Sequence, residues 1–392
     1  MRVLLEADAV GGVWTFALSL ARGLAAQGVH AEIARVGPGD PRKEAEAGAA
    51  GVAVHAVGGP LEWQPGVAGS EALRRQGEAL EALAADVGAD LLHTCSHAHA
   101  GRVRGLPVVH TAHSDVVSWW RAVHGVRPPA SWSAYAENLR AAVRGAAALV
   151  VPSRAHGRVF AAAVGDTRPF RVIHNGIEPP PPPPEAGRGG PALRAGVFSA
   201  ARFGDCTKNL GVLEEAARRL GPALRLAGTG EAEGFAEAAC LGTLSRAGVQ
   251  RELRSAAVYA GPARFEPFGL GVLEAAATGC ALVLADQPTH RELWGGVADF
   301  VPPDDPAAWA DALDRRLADP RPAGEAARKR SARYGLDATA AAYASLYGEA
   351  LDRAGPPSGS PPSGGGLSRG ISAGGASSEG VSSGGLAAGG RA

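Results

Sequence analysis

The chain has 392 residues, enough for two domains with sizeable cores. Its 39 basic and 39 acidic residues balance, so no positive field favours nucleic acid as a partner. No apolar run approaches the length of a membrane-spanning helix, and four widely spaced cysteines predict neither a zinc site nor a disulfide framework. We expect a cytoplasmic protein without a transmembrane segment or signal peptide. Peripheral association with the inner membrane stays open.

The N-terminus predicts a strand, a helix and a second strand. Val3 to Leu5 are apolar, apolar residues then recur at helical spacing from Val13 to Leu24, and His30 to Val36 suit a strand. Gly11 and Gly12 separate the first strand from the helix, where glycines let the backbone approach a ligand in front of a helix N-terminus. A plain strand-to-helix turn explains the same pair, so the residues alone leave both interpretations open.

Two further predicted strands, Asp90 to Cys95 and Pro107 to His113, end abruptly in polar residues. Parallel strands bring their C-terminal ends to the ligand-binding edge of a sheet, which makes His113 a candidate site residue. A histidine that only caps a loop fits equally well. His97 and His99 have no third metal ligand at useful spacing, so we expect no metal site there.

The intervening segments are less informative. Residues 38–60 predict a loop, a short strand and another loop, and residues 70–87 predict a helix. Trp119 and Trp120 could form an aromatic platform for an acceptor or pack against a helix predicted over 131–145. We favour packing.

Proline and glycine mark the end of the first half. Leu149 to Ser153 and Arg171 to Asn175 predict strands, and residues 178–190 then contain six consecutive prolines followed by glycines. Such a segment favours a stiff linker. Residues 354–392 contain almost no large apolar side chains and predict a disordered tail.

The second half opens with a predicted strand, Gly196 to Ala200, and a helix, Leu210 to Leu220. Arg202 and Lys208 in the loop between them suit a diphosphate, although a solvated surface pair is the alternative. Ala, Gly, Arg and Pro dominate the composition, as in a strongly biased, bacterial-like genome, and only three Lys and three Asn remain. The adjacent Lys208 and Asn209 therefore hint at a specific requirement, with chance survival as the alternative.

The stretch ARFEPFGLGVLEAAATG at residues 263–279 predicts a buried helix that Gly279 closes. Glu266 and Glu274 are costly to bury without partners, and sugar or ribose hydroxyls would be suitable ones. A core helix with an acidic start is the alternative. Backbone N–H groups that would suit a phosphate belong to Phe268, Gly269 and Leu270.

No cofactor is expected. The Gly228-Thr229-Gly230 turn lacks the rest of the dinucleotide fingerprint, because Glu233 stands where the third glycine belongs. No D-x-D pair precedes the candidate site, so a divalent metal is not required.

The sequence E-P-F-G-L-x-x-x-E-A at 266–275 resembles the E-x7-E signature of the retaining glycosyltransferases of family 4, which have the GT-B fold. The segment R-x5-K-N at 202–209 is similar to the donor-diphosphate loop of that family, although the familiar Pro-Glu before the lysine is replaced. VPS…VIHNGI at 151–177 is similar to the end of the family's N-terminal domain, and the resemblance covers roughly residues 1–353, which is most of the chain.

This resemblance implies roles for the candidate residues. His113 would contact the transferred sugar, and Glu266 would hold that sugar together with the adjacent backbone. Glu274 would hold the ribose hydroxyls. The donor-binding set would be Gly11, Gly12, Arg202, Lys208, Phe268, Gly269, Leu270 and Glu274.

The expected fold class is α/β, with two Rossmann-like doubly wound domains facing a cleft. The expected division is an acceptor-side domain (1–177), a linker (178–192), a nucleotide-sugar domain (193–336), a helix that crosses back to the N-terminal domain (337–353) and a tail (354–392).

We expect a hexosyltransferase-type enzyme that moves a sugar from a nucleotide diphosphate-sugar donor to an acceptor with retention of configuration. The alternatives are a non-catalytic sugar-nucleotide-binding protein and an epimerase or hydrolase on the same fold. The donor's base and sugar stay open, as does the acceptor, which could be a sugar, a lipid-linked molecule or a small molecule.

Overall fold

The structure is a computed structural model that describes residues 1–165, 169–180 and 194–355. These residues form two parallel β-sheets, each with helices on both faces, so the predicted fold class is confirmed. Most of the predicted linker (residues 181–192) and nearly all of the predicted tail (residues 356–392) lie outside the described residues.

The first sheet has seven parallel strands in the order β3-β2-β1-β4-β5-β6-β7. The strands are β1 (Arg2–Asp8), β2 (His30–Val36), β3 (Val54–Gly58), β4 (Leu91–Thr94), β5 (Val108–Thr111), β6 (Ala148–Val151) and β7 (Arg171–Val172). The helices between and after them are α1 (Gly12–Ala26), α2 (Pro41–Ala49), α3 (Glu71–Asp86), α4 (His97–Arg102), α5 (Val116–His124), α6 (Ser133–Gly145) and α7 (Arg154–Val164).

The second sheet has six parallel strands in the order β10-β9-β8-β11-β12-β13. The strands are β8 (Val197–Ala200), β9 (Leu224–Ala227), β10 (Ala239–Cys240), β11 (Val258–Gly261), β12 (Ala281–Ala285) and β13 (Ala298–Val301). The helices are α8 (Leu210–Leu220), α9 (Arg246–Ser255), α10 (Leu270–Thr278), α11 (Pro288–Trp294), α12 (Pro306–Ala318), α13 (Arg321–Ser331) and α14 (Leu336–Ala354).

The central strands are buried on both faces, which is why they read as continuous apolar runs. All five residues of β12 and all four of β6 are buried. The strand order reverses between β1 and β4 in the first sheet and between β8 and β11 in the second. In open α/β sheets such reversals open a crevice at the C-terminal ends of the strands, where ligands bind.

The last helix, α14, packs against α1 beside the first sheet. Gly23 of α1 permits the close approach, because a Cβ there would lie 2.8 Å from the Cβ of Ala340. The hydroxyl of Tyr347 pairs with His93 Nδ1 at 2.7 Å, and that of Tyr343 pairs with Thr111 Oγ1 at 3.0 Å. We call the first sheet with α1–α7 and α14 the first lobe, and the second sheet with α8–α13 the second lobe.

Several sequence expectations need correction. The segment expected to be loop near residue 40 contains α2, whose N-cap Asp40 accepts hydrogen bonds from two backbone N–H groups. The expected strand Arg171 to Asn175 ends at Val172. Trp119 and Trp120 lie on α5, are only half-buried and face a cavity between the lobes, so the favoured packing against the 131–145 helix is wrong. The reason is that Asp115 starts α5 directly after β5, at the cavity edge.

Candidate active site

A cavity of about 1070 Å³ lies between the lobes, at the C-terminal ends of both sheets. Residues from both lobes line it, as expected for a ligand held at two topological switch points. It contains nine of the ten predicted site residues: Gly11, Gly12, His113, Arg202, Lys208, Glu266, Phe268, Gly269 and Leu270.

The Gly11–Gly12 turn faces the second lobe across the cavity. Gly11 caps α1 with φ 75° and ψ −146°, a conformation that side chains rarely adopt. A Cβ on Gly12 would lie 3.8 Å from Leu270 Cδ1 at the start of α10. The turn therefore places exposed backbone opposite a helix N-terminus of the other lobe.

His113 follows β5 and lines the cavity. Its ring packs edge-on against Phe16, 4.2 Å between centroids, and its buried Nε2 has no hydrogen-bond partner among the described residues. Burial, with smaller contributions from His156 and His97, lowers the pKa of His113 to about 3. The imidazole is therefore neutral at pH 7 and can donate or accept one hydrogen bond.

The loop before α8 brings two predicted residues into contact. Lys208 Nζ donates to Glu266 Oε2 at 2.7 Å, and both side chains are largely buried. Arg202, which is more exposed, donates to Asp205 Oδ2 at 2.8 Å. In this arrangement each cation of the loop is neutralised by a carboxylate at the cavity surface.

Asn209 explains why an asparagine follows Lys208. It has φ 55° and starts α8, and its amide donates to the carbonyls of Pro262 and Pro303 at 3.2 and 2.7 Å. Asparagine tolerates this left-handed conformation better than most side chains. The suspected specific requirement therefore has a structural basis in the shape of the loop.

Helix α10 begins at Leu270, with Gly269 in a left-handed conformation at φ 89° before it. The side chain of Phe268 is buried near His174 and Tyr334, so only its backbone is available to a ligand. Gly279 closes the helix in the left-handed conformation, as predicted.

Glu274 is the one predicted residue that does not line the cavity. It lies one turn inside α10, half-buried, and its carboxylate accepts no hydrogen bond within the described part of the chain. Burial raises its pKa, and Arg246 partly opposes that shift. An anion without a partner is costly at such a position unless a bound ligand supplies donors.

Sequence reasoning found Gly11, Gly12 and His113 on the first-lobe side but missed most of the other lining residues. Glu6 and Asp8 stand at the C-terminal end of β1, the same strand-end signal that identified His113. The others lie on loops and on helices α3, α4 and α11, and they converge only in the folded chain. The additional lining residues with polar or aromatic side chains include Glu62, Trp63, Gln76, His99, Trp132 and His290.

The lobes are joined by hydrogen bonds around the cavity. Trp119 Nε1 donates to Thr207 Oγ1, and Ser153 Oγ donates to the carbonyl of Pro267, both at 2.8 Å. Glu292 accepts from the first two N–H groups of α7, at 2.9 and 2.6 Å. Among the described residues there is no helix long and apolar enough to span a membrane and no cluster of three metal-binding side chains.

Comparisons with known structures identify the fold. Sucrose-phosphate synthase from Thermosynechococcus elongatus is 20% identical, covers 91% of this chain and all of its own, and gives a TM-score of 0.69. HepE from Anabaena, solved with UDP and glucose, is 16% identical over 89% of this chain and all of its own, with a TM-score of 0.66. A glycosyltransferase from Rickettsia africae is 16% identical over 89% of this chain and 98% of its own, with a TM-score of 0.67.

Two family models match the two lobes in turn, while no curated protein gives a significant match. Glycosyltransferase Family 4 matches residues 10–179, and Glycosyl transferases group 1 matches residues 195–319. Together they span both sides of the cavity. The chain belongs to the family 4 glycosyltransferases with the GT-B fold.

Proposed function

We propose that this glycosyltransferase moves a hexosyl group from a nucleoside diphosphate-sugar to a hydroxyl of an acceptor, with retention of configuration. The observation that carries the proposal is the Lys208–Glu266 pair at the N-terminus of α10, facing the Gly11–Gly12 turn across one cavity. The HepE structures with UDP and with UDP-glucose support a nucleotide-sugar as the donor.

We assign acceptor binding to the first lobe and donor binding to the second. Residues 1–177 together with the helix over 337–353 would form the acceptor-side domain, and residues 193–336 would hold the donor. The packing of α14 against α1 is consistent with this division.

The donor's diphosphate would replace carboxylates as the partner of the loop cations. Lys208 and Arg202 pair with Glu266 and Asp205 in the structure. A diphosphate carries more charge and would draw both cations, and the backbone N–H groups at the start of α10 would support it. Because these groups stabilise the departing diphosphate, we expect no requirement for a divalent cation.

The diphosphate then frees Glu266 to bind sugar hydroxyls. His113, neutral and without a partner at Nε2, would hydrogen-bond the same sugar from the other lobe. Glu274, one turn inside α10, would accept hydrogen bonds from the ribose. In the reaction the bond between C1 and the phosphate oxygen breaks, the bond to the acceptor oxygen forms on the same face, and the acceptor proton passes to the diphosphate.

The test is nucleoside diphosphate release from UDP-, GDP-, ADP- and TDP-sugars, with and without cell-extract acceptors. We expect release with one donor, dependent on acceptor, and a loss of at least about 100-fold in Lys208→Ala because transition-state charge loses its partner. Lys329→Ala is the matched control, since that lysine is exposed and its one ion pair among the described residues is with Glu325.

Other outcomes identify the alternatives. Release that does not depend on acceptor would indicate a hydrolase, and a change of the sugar without transfer would indicate an epimerase. Tight nucleotide-sugar binding without any release would indicate a binding protein. Release that persists in Lys208→Ala would show that the donor diphosphate does not bind at Lys208.

A further inference from the structure

The first-lobe side of the cavity is acidic. Glu6 and Glu62 are 1% and 6% exposed, Asp8 is half-buried, and all three line the cavity. We call these three carboxylates the acidic wall. No Lys or Arg of the first lobe is among the described lining residues, and the two lining cations belong to the donor side of the second lobe.

The acidic wall is only partly neutralised from within. His99 Nδ1 pairs with Glu6 Oε1 at 2.8 Å, and the pKa of this histidine is raised by the charge of Glu6 despite its burial. Glu62 accepts from Ser96 Oγ and Asn138 Nδ2 at 2.9 and 3.0 Å, both neutral donors. One of the three carboxylates therefore pairs with a histidine, and Lys43 is a further positive charge near Asp8.

Buried polar atoms in the same part of the cavity have no partner. His99 and Gln76 are 1% and 5% exposed and both line the cavity, and neither His99 Nε2 nor Gln76 Oε1 has a hydrogen-bond partner in the described part of the chain. Buried polar atoms are rarely left unpaired, which indicates that a ligand with hydroxyl or amine groups belongs here.

Aromatic rings complete this half of the site. Four of the seven tryptophans of the chain line the cavity: Trp63, Trp119, Trp120 and Trp132. Trp63, at 42% exposed, is one of the few large apolar side chains that face solvent. Indole faces attract organic cations and cover apolar ring faces, so their combination with carboxylates is typical of a site for a cationic ring compound.

The charge of the acidic wall also disfavours anions. Burial and the neighbouring Glu6 raise the pKa of Asp8, while hydrogen bonds from the Val10 N–H and the Trp63 side chain and the charge of Lys43 oppose the shift. Lys43 donates to the carbonyl of Ala9 and is not among the residues that line the cavity. A phosphate group here would meet carboxylates, whereas an ammonium group would relieve their mutual repulsion.

We propose that the acceptor is an amine-bearing polyol, such as an amino sugar or an aminocyclitol, bound between the acidic wall and the tryptophans. This inference rests on the proposed transferase function. The ammonium group would face the acidic wall and stay unreacted. A neighbouring hydroxyl oxygen would attack C1 of the donor sugar and lose its proton to the departing diphosphate.

The experiment compares how tightly the protein binds the members of two matched series of acceptor analogues. These are glucosamine, glucose and glucose 6-phosphate, and streptamine, myo-inositol and myo-inositol 1-phosphate. Binding of each is measured by calorimetry on the full chain saturated with the nucleoside diphosphate that the donor panel identifies. We expect the amine of at least one series to bind tenfold or more tightly than its neutral analogue, and the phosphates not to bind.

Asp8→Asn should reduce the preference for amine over neutral analogue to about threefold or less. Asn keeps an oxygen for the Val10 N–H, so folding is retained and an unchanged thermal midpoint verifies it. Asp86→Asn is the control, because it removes the same charge from an exposed position on α3. It should leave the preference unchanged.

Different results would contradict the acceptor inference and the transferase proposal. Equal binding within both series, tighter binding of a phosphate, or no binding of either amine would overturn the acceptor inference. None of these results affects the transferase proposal while acceptor-dependent release still collapses in Lys208→Ala. Absence of nucleoside diphosphate binding would instead overturn the proposed function.

Discussion

The position of Glu274 is costly for a carboxylate, and its proposed role explains that cost. The carboxylate is half-buried, accepts no hydrogen bond from the described residues, and burial raises its pKa. An acid with a raised pKa in the folded state binds its proton more tightly there than in the unfolded chain. The free energy of unfolding therefore falls as pH rises above about 4.5, through the raised pKa.

Glu274→Gln should separate stability from donor binding. Removing the charge should raise the free energy of unfolding near pH 7 by ~1 kcal/mol, the scale of an unsatisfied buried polar group, with no gain below pH 4. The KM for the donor should rise roughly tenfold, because a charged acceptor for the ribose hydroxyls is lost. Urea unfolding at both pH values and donor titration provide the measurements.

The control for this variant is Glu215→Gln, on the exposed side of α8. It should change neither the stability nor the KM. A stability difference that is equal at pH 4 and pH 7 would show that the charge of Glu274 is not the cause. An unchanged KM would remove Glu274 from the donor site.

Individual site residues could be predicted to different extents. Lys208 and Glu266 were recognisable because each lies in a short local pattern next to a helix start. Glu62 and Gln76 were not, since neither stands at a strand end or in a motif. They reach the cavity only because the chain folds back over the first sheet.

At the scale of elements, burial decided what could be predicted. Inner strands such as β6 and β12 are buried along their whole length, and α8 begins and ends where its amphipathic pattern does. Helices α2, α4, α5 and α7 were not predicted, because α4 has only six residues and the start of each of the other three is marked by a single N-cap side chain. Asp40, Asp115 and Ser153 each accept a backbone N–H at a helix start.

The contact between α1 and α14 requires that residue 23 has no side chain, as in Gly23. A Cβ at this position would lie 2.8 Å from Ala340 Cβ and 3.1 Å from Leu336 Cγ. Alanine in place of glycine favours the helix by up to ~1 kcal/mol, but overpacking costs roughly 1–3 kcal/mol. We expect Gly23→Ala to lower the free energy of unfolding by ~1–2 kcal/mol, measured by urea denaturation.

The double variant Gly23→Ala with Ala340→Gly should recover most of this loss, because it restores the space between the helices. Gly48→Ala is the matched control, since a Cβ there meets nothing within 4 Å on α2. It should be neutral or stabilising. Additive losses in the double variant would mean that the two helices do not meet as described.

At the scale of the whole molecule, the sequence indicated two lobes, a cleft, a linker and a helix that crosses back, but not the hydrogen bonds that join the lobes around the cavity. The bonds across the cavity use single residues from separate segments, such as Trp119 with Thr207 and Ser153 with Pro267. The two partners of each pair are far apart in the sequence, and no short motif links them. The pairs therefore could not be predicted from any one segment. They hold the donor loop and α10 against the first lobe.

Glu292 makes the strongest of these connections. Its carboxylate accepts the N–H groups of Arg154 and Ala155, at the positive end of the α7 dipole, and lies 3.8 Å from His174. Hydrogen bonds to a charged group contribute about 1.5–3 kcal/mol each, so their loss should shift the lobes toward an open arrangement.

Glu292→Ala should therefore increase the radius of gyration in small-angle scattering, and saturating nucleoside diphosphate should reverse most of the increase. The KM for the donor should rise by roughly tenfold, because part of the binding energy then closes the lobes. The control is Glu325→Ala, which removes an exposed glutamate of the second lobe whose ion pair within the described part of the chain is with Lys329. It should change neither the radius of gyration nor the KM for the donor. An unchanged radius with a lowered thermal midpoint would mean that Glu292 stabilises α7 locally and does not control closure. The lobes would then be held by the bonds around α5 and α10, and Trp119→Phe, which removes the bond to Thr207, would become the variant that opens them.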